Sequence, residues 1–206
     1  MKQVAITFDD GPWADTTPVV LKTLQKYNVP ATFMIWGEHA LKNPELLKKE
    51  AQNPLFCFGN HTLHHVHLPE LTAAEANAEA NKEITENDHV IENIIGRKPE
   101  YIRPPYGEFT PGQIDDDRPF IVWTLDTKSW DHHSTEKVLE NIEKAKDGDI
   151  ILMHDFQPAD ASALDDAIQI LFRNGFKIVS IADLVGKDQI KNAKVIYGRD
   201  HITYDN

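Results

Sequence analysis

The chain reads as an α/β domain built on a mostly parallel sheet, and three observations predict it. Short apolar, β-branched runs recur along its 206 residues. Patterns of helical period separate most of these runs, and strands alternating with helices make a parallel sheet, either doubly wound or closed as a barrel. The unusual polar residues fall directly after the runs, at the strand ends where parallel α/β folds assemble their sites.

Strands are expected at 4–8, 31–36, 55–58, 101–102, 121–125, 150–153 and 176–181, seven in all. Helices are expected at 17–27, 45–52, 135–146 and 161–174, the last stopped by Gly175. The clearest helix starts at Thr72, which can cap it while Glu75 completes a capping box. Its stripe is Ala76, Ala80, Ile84, Ile91 and Ile94 or Ile95, a helical spacing, and Gly96 is placed to end it. After Lys187 the pattern weakens into Val195-Ile196-Tyr197 and a polar tail, read as one more edge strand. Without a Ser/Gly linker or a break in composition, 1–206 is expected to be a single domain, with 187–206 a C-terminal tail.

Lys and Arg number 21 against 33 Asp and Glu, a balance of −12 that disfavours nucleic acid, acidic lipid and polyanionic polymers as partners. A neutral or cationic substrate fits better. The longest apolar runs, such as Ile150-Ile151-Leu152-Met153, are far too short to span a membrane. The single cysteine, Cys57, sits within Leu55-Phe56-Cys57-Phe58 and reads as a buried small hydrophobe, so no internal disulfide is expected. No charged and then apolar leader precedes the first strand, which leaves a cytoplasmic protein or a chain separated from its export segment. A monomer is the default.

The most informative stretch is Thr7-Phe8-Asp9-Asp10-Gly11-Pro12. Two carboxylates end a strand and a Gly-Pro pair turns the chain away, which sets both acids on a rigid lip. Side chains alternate along a strand, so Asp9 and Asp10 are expected to face different partners and to serve as base and metal ligand. His61 and His65, four positions apart, are expected to meet on one side of a helical turn, and with Asp10 they offer three ligands to a divalent ion with positions left open. Such an ion activates water and polarises a carbonyl. Asp9 would then take the water proton, His154 on another strand would protonate a leaving group, and Arg103 would hold Asp9 ionised.

These residues together resemble the polysaccharide deacetylase family, also called the NodB homology domain or carbohydrate esterase family 4. The resemblance runs from Val4 to about Leu184 and rests on Thr-Phe-Asp-Asp-Gly-Pro at 7–12, His-Thr-x-x-His at 61–65, Arg-Pro-Pro-Tyr-Gly at 103–107 and Leu-x-His at 152–154. It implies a distorted (β/α)7-type barrel, with zinc as the first choice of metal and cobalt or another divalent ion as alternatives. It also implies Asp9 as base, His154 as acid, Arg103 as positioner of the base, and the Tyr106 N–H as a second stabiliser of the oxyanion. Trp130 and Leu152 look like the walls of an acetyl-methyl pocket, with Pro104 and Asp126 beside the substrate.

The expected activity is removal of N-acetyl groups from N-acetylglucosamine units of peptidoglycan, chitin or chito-oligosaccharides. The alternatives are an acetyl xylan O-esterase and, in a different class, a carbohydrate-binding protein with a relic site. By the family's habit the chain is expected outside the cell or at its surface. One motif departs: where the family commonly has Asp-x-x-Asp-Trp, this chain has Asp126-Thr127-Lys128-Ser129-Trp130. The carboxylate that orients His154 is then expected from Asp126 or Asp131, or activity is expected to fade earlier as pH rises. The short segment between Gly107 and Pro119 suggests an open groove suited to a polymer.

Overall fold

The computed structural model describes residues 1–71 and 75–204. Its sheet is curled into a distorted barrel, with helices outside and a smaller apolar cluster inside. The order begins with β1 (Lys2–Gly11) at the centre, flanked by β2 (Ala31–Ile35), then β3 (Phe56–Asn60), β4 (Tyr101–Ile102) and β5 (Phe120–Ile121) on one side. On the other side, β6 (Leu125–Asp126) pairs with β7 (Ile150–His154), which pairs with β1. All of these pairs are parallel, and β8 (Phe176–Ile178) adds to the start of β1.

Alternation along β1 divides the two layers. Val4, Ile6 and Phe8 point into the outer cluster beneath α1 (Thr17–Tyr27), while Ala5 joins Met34, Tyr101, Ile121 and Ile150 inside. Phe33 anchors the outer layer, its ring 5.4 Å from Phe8 and 5.2 Å from Phe56. Burying each such ring contributes about 1.5–3 kcal/mol. The remaining helices are α2 (Gly37–Lys42), α3 (Pro44–Ala51), α4 (Ala76–Ile95), α5 (Ser129–His132), α6 (Thr135–Ile142), α7 (Pro158–Arg173), α8 (Ile181–Val185) and α9 (Lys187–Asn192). The expected stripe of α4 is the face it buries, and Gly96 ends it with φ +80°. The cap expected at Thr72 lies outside the described residues, and Glu75 precedes the first turn of α4 rather than lying within it.

Two expectations change. The run 121–125 is not one strand: it breaks into β5 and β6 and crosses from β4 to β7. The break has a physical cause, because the Ile121 and Val122 carbonyls are taken by the Arg103 guanidinium instead of a neighbouring strand. The segment after Lys187 is no tail either. β9 (Ala193–Gly198) pairs parallel with β5 and buries Ile196 in the inner cluster, and β10 (His201–Tyr204), antiparallel to it, is the edge. The pairing partner lies some 75 residues upstream, so nothing local announces it.

One buried acid is unpaired. Glu50 on α3 is fully buried, and neither carboxylate oxygen has a hydrogen-bond partner among the described residues. Burial, with the Asp155 charge second, pushes the Glu50 carboxyl well above its ordinary 4.5. Below pH 4.5 the group is neutral whether folded or unfolded; as pH rises past that value the unfolded chain ionises while the folded one resists, so stability is lost. Glu50→Gln is expected to raise the Tm at pH 8 by about 3–6 °C, and by much less at pH 4. Equal gains at the two pH values in thermal melts would refute this account.

Candidate active site

Every expected polar group lies at the carboxyl ends of the strands. Asp9 and Asp10 close β1, His61 follows β3, Arg103 follows β4, Asp126 ends β6, Trp130 lies on α5 and His154 ends β7. A cavity of about 370 Å³ gathers Asp9, Asp10, His61, His65, Tyr106, Asp126, Trp130, Leu152 and His154 in its walls. Pro104 is not among them: it is buried, and its carbonyl accepts the Gly107 N–H at 3.0 Å. Sequence reasoning missed Glu108, Trp123 and Phe156, which complete the lining.

The two aspartates do not face opposite ways. The register of β1 on β2 shifts between Asp9 and Gly11, and Asp10 adopts φ +74°, which turns both carboxylates into the cavity. His61 Nε2 lies 3.6 Å from Asp9 Oδ2 and 3.2 Å from Asp10 Oδ1. Nor do His61 and His65 meet on a helical turn. Thr62 and His65 take positive φ values in a loop, pinned where Asn60 Oδ1 accepts the Thr62 N–H at 2.9 Å and Asn87 on α4 donates to the Thr62 carbonyl at 2.9 Å. Tyr106, in the 3₁₀ turn Pro105–Gly107, is likewise left-handed. Non-glycine residues pay on the order of 1 kcal/mol each for that conformation, and three of them, Asp10, His65 and Tyr106, line one cavity. At Gly107 the bar on a side chain is steric as well, since a Cβ would stand 2.6 Å from the Trp123 ring.

The donor set fits a cation. His61 Nδ1 lies 2.7 Å from the Arg103 carbonyl, which only accepts, so Nδ1 carries the proton and Nε2 of the neutral ring presents a lone pair. That lone pair points at a carboxylate: Asp10 Oδ1 is buried without a hydrogen bond among the described residues, 3.2 Å from His61 Nε2 and 3.0 Å from His65 Nε2. Acceptors this close need a positive charge among them. The three ligand atoms lie within 4.8 Å of one another, the reach of one ion. Burial alone would raise the Asp10 carboxyl, yet positive charge on the facing imidazoles outweighs it and holds the group well below the usual range, as a cation between them would. His64, by contrast, is turned away to Glu83, 2.6 Å from its Nδ1.

Arg103 is fully buried, and four of its five side-chain N–H groups are engaged. It donates to Asp9 Oδ1 at 2.7 Å, to Thr7 Oγ1 at 2.8 Å, and to the Ile121 and Val122 carbonyls at 2.8 Å each. Asp9 Oδ1 is thereby fixed, while Oδ2 faces the His61 side. Across the cavity His154 Nε2 lies 3.8 Å from Asp10 Oδ2. Neither Asp126 nor Asp131 reaches His154. Asp126 accepts the Lys128 N–H at 2.8 Å and the Trp130 indole N–H at 3.2 Å, which seats that indole, and Asp131 is exposed. The carboxylate beside His154 is Asp160, in the first turn of α7.

A profile of the polysaccharide deacetylase family matches residues 1–117. The chain belongs to that family. Among this family's curated members, the peptidoglycan-N-acetylglucosamine deacetylase PgdA of Listeria monocytogenes is 35% identical over 90% of this chain and 39% of its own length. The peptidoglycan-N-acetylmuramic acid deacetylase PdaC of Bacillus subtilis is 32% identical over 94% of this chain and 41% of its own length. The chain thus spans about two fifths of each of these relatives. The solved PdaC structure superposes with a TM-score of 0.79, covering 89% of both chains at 30% identity. The Xyl-CE4 domain of a multidomain xylanase from the hindgut metagenome of Trinervitermes trinervoides gives 0.84, covering 97% of this chain and 98% of that domain at 27% identity. A deacetylase-family barrel curled about this cavity is the fold the sequence predicted.

Proposed function

We propose that this chain is a metal-dependent hydrolase that removes N-acetyl groups from an N-acetylglucosamine-containing polymer or oligomer, peptidoglycan first among them. The observation that carries the reading is Asp10 Oδ1, a buried oxygen, otherwise unpartnered among the described residues, that faces two imidazole nitrogens beside the Asp9–Arg103 pair. A zinc or similar ion held by Asp10, His61 and His65 would supply Lewis-acid chemistry, activating water and polarising the amide carbonyl. Asp9, with Oδ1 tied to Arg103, takes the proton of the attacking water on Oδ2. The Tyr106 N–H offers a donor to the developing oxyanion. His154 Nε2, on the far side of the cavity, passes a proton to the departing amine nitrogen. Trp130 and Leu152 enclose the acetyl methyl group. A cell-wall substrate would place the protein outside the cytoplasm.

A second reading, an acetyl xylan O-esterase, draws on the likeness to the xylanase-linked domain. The same site would cleave an ester, whose alkoxide leaves with less help from an acid. The two readings separate by mass spectrometry of zinc-loaded protein, with a chelated control, incubated with N-acetylglucosamine oligomers, peptidoglycan fragments and acetylated xylo-oligomers. Loss of 42 Da acetyl increments, on the order of one per N-acetyl sugar, from the amino-sugar substrates alone and only with metal is the expected result. Loss from the xylo-oligomers alone would replace the first reading with the second, and loss from none would refute both.

A further inference from the structure

We propose that Asp160 is the positioning residue for His154, a carboxylate delivered from helix α7 that fixes the acid imidazole over the cavity. The inference rests on the hydrolase reading for its chemistry and on a separate set of contacts for its geometry. Asp160 is fully buried. Its Oδ1 accepts the Thr127 hydroxyl at 2.9 Å; its Oδ2 accepts the Ser129 hydroxyl and, at 2.8 Å, the backbone N–H of His154. All three donors are neutral, which is poor compensation for a desolvated charge. Among the described residues the one titratable nitrogen near it is His154 Nδ1, 4.0 Å from Oδ2, and that nitrogen is itself buried and has no hydrogen bond to any of them.

At 4.0 Å the pair is not a hydrogen bond, but Nδ1 lacks a partner, and the Asp160 carboxylate, bonded only to neutral donors, lacks a counter-charge. A modest rotation of the imidazole closes the gap, and contacts of this kind commonly tighten when substrate is bound. A proton held on Nδ1 leaves Nε2 as the atom that faces the cavity and exchanges protons with the substrate. Ser129 does not leave His154 without a carboxylate; its hydroxyl holds Oδ2 of Asp160 where that carboxylate is needed. A purely local role, an acid in the first turn of α7 satisfying the helix dipole, would not require two hydroxyls from the 127–129 segment to converge on it.

Asp160→Asn keeps the shape and removes the charge, and Ser129→Asp combined with Asp160→Ser returns a carboxylate from the opposite side of the same contact. With zinc-loaded proteins, kcat is measured on an N-acetylglucosamine oligomer, whose amine must be protonated to leave, and on an aryl acetate, whose phenolate leaves unaided. Asp160→Asn is expected to lower kcat on the amide about 10²-fold, at least about tenfold more than on the aryl ester, with KM little changed. The double variant is expected to recover at least about a third of the amide activity. Equal losses on both substrates, or no recovery, would overturn the proposal. Nitrogen-15 NMR of the His154 ring provides a readout that needs no turnover: the proton is expected on Nδ1 in the wild type and redistributed in Asp160→Asn. An unchanged tautomer would also overturn it, whereas a wild-type protein inert to both substrates would instead overturn the hydrolase reading.

Discussion

Asp9→Asn is expected to lower kcat for acetyl removal by about 10²–10⁴ while one metal ion per chain stays bound. Asparagine has the shape of aspartate, so its side-chain oxygen can keep the 2.7 Å contact with Arg103 Nη1. Its amide replaces the free oxygen that faces His61, and an amide does not take a proton from water. The proposed ligands Asp10, His61 and His65 are untouched. Metal analysis of the purified variant, beside single-turnover kinetics on an N-acetylglucosamine oligomer, separates the two effects. Turnover within tenfold of wild type would refute Asp9 as the base, since about tenfold is below what a general base contributes. Loss of the metal would mean that Asp9 belongs to the ligand set.

The variant is also expected to be less stable, because Asp9 does more than chemistry. Among the described residues it is the one carboxylate within ion-pair distance of Arg103. In the proposed reaction the same residue would take a proton, and in the fold it neutralises a buried charge. The proposed base is firmly placed, because the guanidinium that orients it is locked by two backbone carbonyls and a threonine hydroxyl.

What the sequence disclosed follows from the range of the interactions involved. Asp9 and Asp10, the His61–His65 pair and the Arg103 stretch were legible because each is a short segment whose residue types announce their chemistry. The helices were legible where a buried stripe runs at helical spacing, as in α4. Three features depended on contacts that no local pattern encodes. The bulge that swings Asp10 beside Asp9 needs a positive φ, which aspartate tolerates but which nothing in the local pattern announces. The break between β5 and β6 exists because a guanidinium from beyond β4 takes two carbonyls of the ladder. Asp160 fell just before the helix expected at 161–174 and carried no local signal; its meaning comes from Ser129, 31 residues earlier, and from His154. The missing aspartate at Ser129 was the available signal, and it pointed to the need for another carboxylate without saying which.

Arg103→Met tests the same coupling from the other partner and is expected to be the most destabilising single change in the site. It strands the Asp9 carboxylate 3.6 Å from His61 and close to a second anion, Asp10, and leaves the Ile121 and Val122 carbonyls without their donors. Breaking a buried pair in this way costs about 3–5 kcal/mol, which lowers the Tm of a domain this size by on the order of 10 °C. The informative measurement is the double variant, Asp9→Asn with Arg103→Met, melted as metal-free protein so that no bound cation neutralises Asp9. Removing the stranded charge is expected to raise the Tm above that of Arg103→Met alone, with a coupling of about 0.5–3 kcal/mol, although the orphaned carbonyls keep it below wild type. Strict additivity of the two losses would mean that Arg103 stabilises the barrel through the Ile121 and Val122 carbonyls alone, with its charge irrelevant to Asp9. The expected sign reversal arises because the methionine has already removed the counter-charge, so a neutral residue at position 9 then relieves a penalty instead of creating one.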